Sequence, residues 1–150
     1  MERLFRTVGP SSAYFGEKDF QQTLVVSDLA REMGYPNIVV CPTVREESGL
    51  ALSSRNVLLN PDEKHLARQI YPALLAARDA WQSGERTADG LSAAMADCLN
   101  HDGLILEYAE VRDPAQWTAE PPQPPLERAQ ALIAVRIGSV RLIGNLRLDR

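Results

Sequence analysis

Ile38-Val39-Val40-Cys41 is a continuous apolar run of the kind that parallel strands show when both of their faces are covered. Before it, the stretch from about Asp19 to Met33 repeats apolar residues at helical spacing. Val25, Leu29 and Met33 recur every fourth residue, and Leu24, Val26 and Ala30 widen the stripe. Gly34 and Pro36 are stop signals between this helix and the run that follows. Ser12 to Phe15, ahead of the helix, reads as a short apolar strand with Gly16 at its end. Strand, helix, strand is the βαβ unit, so the first third of the chain is α/β, with ligand-binding groups expected at the carboxyl ends of its parallel strands. Further upstream, Leu4, Phe5 and Val8 share one face of a helix that Gly9-Pro10 ends.

The rest of the chain has a different character. Asn60-Pro61-Asp62-Glu63 is a helix start, with Asn as cap, Pro at the first position and Glu at the third. The helix is expected to run to about Ser83 and stop at Gly84, with the stripe Leu66, Ile70, Leu74, Ala77 and Trp81 and a kink at Pro72. Thr87 can cap a second helix with the stripe Leu91, Met95, Cys98 and Leu99, closed by Gly103. Leu104–Val111 then reads as a strand, Asp113-Pro114 as a turn, and the prolines of 121–125 as an extended loop. Gln130–Ile137 and Arg141–Leu148 are two further strands joined at Gly138-Ser139 as a hairpin. Residues 58–150 are therefore expected to form a small α+β domain, two helices on a three-stranded antiparallel sheet.

Composition narrows the function classes. The chain has 150 residues, 45% of them hydrophobic, which suits one globular domain or two small ones. The net charge is −4 with no long basic run, which argues against a nucleic-acid partner. No apolar run reaches the length of a membrane span, and Met1-Glu2-Arg3 does not open a signal peptide. Cys41 and Cys98 lack Cys-x-x-Cys spacing and lie in apolar surroundings, so they read as small buried hydrophobes of a reducing, cytoplasmic protein. His65, in a first helical turn with no ligand partner near it in sequence, reads as an exposed polar residue.

Two polar clusters carry chemistry. One is Tyr14-Phe15-Gly16-Glu17-Lys18-Asp19-Phe20-Gln21-Gln22. Gly16 allows backbone to come close to a ligand, Lys18 can neutralise phosphate as a point charge, and Asp19 can supply an oxygen ligand to Mg²⁺. Without a ligand, Lys18 and Asp19 would be a solvated helix start with Asp19 as N-cap. The other cluster is Gly49-Leu50-Ala51-Leu52-Ser53-Ser54-Arg55-Asn56. Two adjacent hydroxyls beside a guanidinium fork suit polyphosphate oxygens; the plainer reading is a surface loop whose serines cap the next helix. Arg45, Glu46 and Glu47 between the clusters read as a solvated loop.

With Pro42-Thr43-Val44-Arg45-Glu46 between them, these two clusters closely resemble pantothenate synthetases, the ATP-dependent ligases that join pantoate to β-alanine. The resemblance runs the length of the chain and matches the C-terminal part of the family pattern. It implies an incomplete Rossmann-like (HUP-type) nucleotidyltransferase unit in residues 1–57 and a C-terminal lid domain in 58–150. It implies a pantoyl-adenylate intermediate and a homodimer, with ATP and Mg²⁺ as cofactors. It places Gly16, Glu17, Lys18, Asp19, Val44, Leu52, Ser53, Ser54 and Arg55 around ATP, with Lys18 and Arg55 catalytic and Asp19 at the metal. Val44 would meet the adenine through its backbone, and Gln22 would hydrogen-bond pantoate. The family's His-x-Gly-His motif has no counterpart here, the histidines being His65 and His101. Activity is accordingly expected to need an N-terminal half that carries it, because those imidazoles would help neutralise the phosphates. Gly144 stands where the family usually has Asp before Asn145, which is expected to loosen a local contact.

Two other classes compete. One is a non-catalytic fragment or partner subunit that completes its sheet with another chain; the open sheet edge predicts that this chain alone associates or aggregates. The other is an RNA-linked nucleotidyltransferase, suggested by the likeness of the Ser-Ser-Arg loop to that of class I aminoacyl-tRNA synthetases. The acidic balance and lack of an aromatic-rich basic face argue against it.

Overall fold

Ser12–Gly16 (β1) and Asn37–Cys41 (β2) pair in parallel, from Ser12 opposite Asn37 to Gly16 opposite Cys41. This register comes from a computed structural model that describes residues 1–118 and 120–150. Between the strands run a 3₁₀ turn, Glu17–Asp19, and the helix Phe20–Met33 (α2), so the βαβ reading holds. The helix Glu2–Val8 (α1) precedes them and ends on Gly9, whose φ of 60° is left-handed. Phe5 is the buried residue of α1, and its ring meets that of Phe15 edge-on at 6.5 Å. Leu4 and Val8, expected on the same covered face, are exposed.

Two further expectations about this region need correction. The buried line of α2 is Thr23, Val26 and Ala30: the expected Val26 and Ala30 are covered, but Leu29 and Met33 are only half-buried and Val25 is 67% exposed. A two-stranded sheet offers a narrow seat, and one line of small and medium side chains fills it. Likewise β2 is not covered on both faces: none of its residues is buried, and Val40 is 45% exposed.

The chain divides into two compact units, Met1–Val44 and Arg45–Arg150. Residues 45–57, expected with the first part, group with the second, because Leu50 and Leu59 insert into its core. In that second unit Leu104–Arg112 (β3), Gln130–Ile137 (β4) and Val140–Arg147 (β5) form the antiparallel sheet β3-β4-β5. Ala131, Ile133, Val135 and Ile137 of β4 alternate onto one face, where they pack with Leu74, Leu91, Met95 and Leu99 from the helices. Gly138, with φ 55°, makes the tight β4–β5 turn possible. Cys41 and Cys98 are half-buried thiols rather than core residues.

The expected long helix is two helices, Pro61–Ala67 (α3) and Ile70–Gln82 (α4). The break falls at Arg68-Gln69, ahead of Pro72, because a proline ring excludes the helical carbonyl four residues before it. Pro72 therefore sits in the first turn of α4, where a missing N–H costs nothing. Asn60 and Glu63 form a reciprocal cap on α3, with both bonds at 2.9 Å. Thr87 caps Ala88–Asp97 (α5) through the amide of Gly90, 3.1 Å away.

Gly144 fixes how closely α4 lies on β5. A Cβ there would stand 2.7 Å from Ile70 Cγ2 and 3.2 Å from Leu74 Cδ1. The glycine thus tightens a contact that was expected to loosen. Gly144→Ala should destabilise the chain by about 1–3 kcal/mol through overpacking, seen as a lower urea midpoint at unchanged slope.

Candidate functional site

The residues singled out from the sequence divide between the two units. Gly16, Glu17, Lys18, Asp19, Gln22 and Val44 lie in the first, and Leu52, Ser53, Ser54 and Arg55 in the second.

In the first unit, Gly16 is the last residue of β1, opposite Cys41 at the end of β2. The Glu17–Asp19 turn and the start of α2 therefore leave from the carboxyl edge of the parallel pair, and Val44 lies three residues beyond the end of β2. Open α/β sheets bind ligands at this edge. Gly16 has an ordinary φ of −73°, so the backbone itself does not demand glycine. A Cβ there would have no atom within 4 Å, which leaves open space above the strand end. Asp19 occupies the N-cap position of α2 but makes no side-chain cap bond. Gln21 and Gln22 are exposed in the first turn of α2, and Val44 is 65% exposed.

In the second unit, the hydroxyl loop is held at both ends and open at its tip. Upstream, Arg45 and Ala51 form an antiparallel bridge closed by Glu46 N–H to Leu50 O and Gly49 N–H to Glu46 O, both at 2.8 Å. Gly49 has φ 84°, and a Cβ there would collide with Tyr71 Cδ1 and stand 3.1 Å from Tyr71 Cγ. Downstream, Asn56 is buried; its Nδ2 donates to Ala51 O at 3.1 Å and to Glu46 Oε1 at 3.4 Å. Ser54–Leu58 is a 3₁₀ turn, capped by Ser53 Oγ, which accepts from the Arg55 amide at 3.2 Å. Ser54, Arg55 and the flanking Leu52, Val57 and Leu58 are exposed. The expected capping serine is thus real, but it caps the loop's own turn; Asn60 caps the helix that follows.

Sequence reasoning missed the supports of this loop. Glu46 and Glu47 are exposed as a solvated loop would have them, but Arg45 is not. Arg45 is half-buried, donates to Gly49 O at 3.2 Å and to Asn145 O at 3.3 Å, and lies 4.2 Å over the Tyr71 ring. Asn145 in turn accepts from Gln130 Nε2 at 3.0 Å. The spacing of 100 residues between Arg45 and Asn145 hides this contact from any local reading.

Glu107 and Asp149, two carboxylates of the second unit, have shifted titration. The guanidinium of Arg141, helped by Arg136, holds the Glu107 carboxyl below its ordinary value on the sheet. Burial raises that of Asp149, but Arg147 and the Ala129 amide more than offset it. Among the described residues no group of three or more His, Cys, Asp or Glu gathers as a metal cage. One exposed carboxylate such as Asp19 fits Mg²⁺ only in the way that ion is often held, with phosphate oxygens and water completing the shell. No helix among the described residues is long and apolar enough to cross a membrane.

Comparison with known proteins finds one family. The family model for pantoate-beta-alanine ligase matches residues 1–147. The pantothenate synthetase of Roseiflexus sp. (strain RS-1) is 43% identical over 149 residues, covering 98% of this chain and 53% of its own. The crystal structure of pantothenate synthetase from Thermus thermophilus superposes with a TM-score of 0.89 at 40% identity, over 99% of this chain and 53% of that one. A pantoate-beta-alanine ligase from Francisella tularensis, solved as a complex with beta-gamma ATP and beta-alanine, gives a TM-score of 0.64 at 27% identity, over 99% of this chain and 48% of its own. The chain spans about half the length of the relatives it matches.

The held ends of the loop give a direct test. Gly49→Ala must abandon a left-handed φ and move against the Tyr71 ring, which should cost about 1–3 kcal/mol in thermal or urea unfolding.

Proposed function

The chain belongs to the pantoate-beta-alanine ligase family, and on that premise we propose that it supplies the phosphate-binding turns for ATP-dependent ligation of pantoate and β-alanine to pantothenate. The observation that carries this reading is the hydroxyl loop, whose ends are tied down while Ser54 and Arg55 stand exposed. Donors already held in place lose little freedom when an anion arrives.

In the first step a pantoate carboxylate oxygen bonds to the α-phosphorus of ATP and pyrophosphate leaves, giving pantoyl adenylate. In the second, the β-alanine amine attacks the acyl carbon, AMP leaves with the acyl oxygen, and the amine gives up a proton. No side chain forms a covalent intermediate; positioning and charge neutralisation suffice. Lys18 and Arg55 neutralise charge that builds on the phosphates, and the Ser53 and Ser54 region donates hydrogen bonds to them. Gly16, Glu17, Val44 and Leu52 surround the nucleotide, with the Val44 backbone toward adenine. Gln22 hydrogen-bonds pantoate. Asp19 would share Mg²⁺ with phosphate oxygens and water, where the ion would offset negative charge.

On this reading residues 1–57 serve nucleotide binding and 58–150 serve as a lid that excludes water from the adenylate. The histidine-bearing half of the family pattern joins this chain to complete the site, in a homodimeric, cytoplasmic enzyme. A second reading, a partner subunit without catalysis of its own, is favoured by one observation: Tyr14 of β1 and Val40 of β2 leave apolar side chains uncovered on the two faces of the parallel pair, at 71% and 45% exposure.

Pantoate-dependent ATP–pyrophosphate exchange tests the proposal, run on the chain alone and with the histidine-bearing half added. Exchange is expected only with both halves, and Arg55→Ala should lower it by roughly 10²-fold or more, the scale of one lost transition-state donor. Absence of exchange in both conditions would leave the partner-subunit reading in its place.

A further inference from the structure

We propose that Arg45 is the positioning residue of the hydroxyl loop, holding Ser53, Ser54 and Arg55 in a phosphate-ready arrangement by clamping the loop's base to β5 and α4. The proposal rests on the phosphate-binding reading of that loop.

Arg45 meets three separate parts of the second unit with one planar group. It donates to Gly49 O inside the loop and to Asn145 O on β5, and its guanidinium carbon lies 4.2 Å from the Tyr71 ring centroid on α4. The Tyr71 ring also abuts Gly49, so the loop's turn lies against the ring that the guanidinium covers. Farther along, Asn56 ties Ala51 O and the Glu46 carboxylate. The Arg45 fastening ties the loop to the β5 backbone at Asn145, whose side chain is itself held by Gln130.

Only arginine supplies this geometry. Its fork donates in two directions in one plane while the flat face stacks on a ring. Lysine keeps the charge but has a compact head that cannot hold both carbonyls and the ring at once. The Leu50 and Leu59 anchors do not depend on Arg45, since both are set in the helix–sheet core. Loss of the clamp should therefore free residues 49–56 without unfolding the unit. Freed donors sample many arrangements, and anion binding must then order them at a cost in affinity.

A matched control exists elsewhere in the same unit. Arg86 lies 4.0 Å over the Trp81 ring and donates to Trp81 O and Glu85 O, none of which belongs to the hydroxyl loop. Arg86→Lys removes an equivalent clamp at the α4–α5 corner.

The test compares the unaltered chain, Arg45→Lys and Arg86→Lys by amide hydrogen exchange and by inorganic pyrophosphate affinity. Arg45→Lys should speed exchange at Gly49 and Asn56 by roughly tenfold or more while β4 exchange stays unchanged. It should also weaken pyrophosphate by roughly tenfold, the scale of a misplaced binding group. Arg86→Lys should do neither. Unchanged loop exchange in Arg45→Lys, or faster exchange spread evenly over loop and sheet in both variants, would overturn the proposal. If the unaltered chain binds no pyrophosphate, the phosphate-binding reading fails, and the exchange data alone decide whether Arg45 holds the loop.

Discussion

Burial of one face of the β3-β4-β5 sheet beneath α4 and α5 is the constraint on which the second unit depends. Ile133, Val135 and Ile137 from the sheet and Leu74, Leu91, Met95 and Leu99 from the helices and their ends are almost fully enclosed. Side chains of this size each contribute about 1.5–3 kcal/mol when taken out of water. The same core accepts Leu50 and Leu59, one from each side of the hydroxyl loop. The apolar core thus determines where a polar loop begins and ends, and Gly144 sets how near α4 can come to the sheet that carries it.

The first unit works under a weaker constraint. Two strands and one covering helix bury little, and its chemistry-bearing turn depends on register instead: Gly16 opposite Cys41 brings the Glu17–Asp19 turn to the strands' carboxyl edge. A parallel pair cannot close by a tight hairpin, so α2 must cross over and re-enter at Asn37. That crossover places Gln22 in the first helical turn, directly after Lys18 and Asp19.

Much of this was legible in the sequence because it depends on local patterns. The βαβ order, the Asn60 cap and the β4–β5 hairpin each rest on residues close together in the chain. What escaped depends on contacts between distant residues. The α2 stripe is too broad as read from spacing: Val25, Leu29 and Met33 share it whatever seat the helix takes, and the two-stranded seat covers Thr23, Val26 and Ala30. The expected kink at Pro72 is a break at Arg68-Gln69, because a proline acts on the turn before it. The clearest case is Arg45, whose decisive partners are Tyr71 and Asn145. The candidate residues come from two short motifs, whereas the side chains that hold one of those motifs in place lie outside any local pattern.

The central claim is that the hydroxyl loop takes the phosphates of a nucleotide. The most direct measurement is the change in backbone amide NMR shifts when ATP and Mg²⁺ are added to the chain. The account predicts saturable shifts in 52–57, with the core amides of 131–137 unmoved. No shift in 52–57, or shifts found only in the proline-rich segment 121–125, would contradict it.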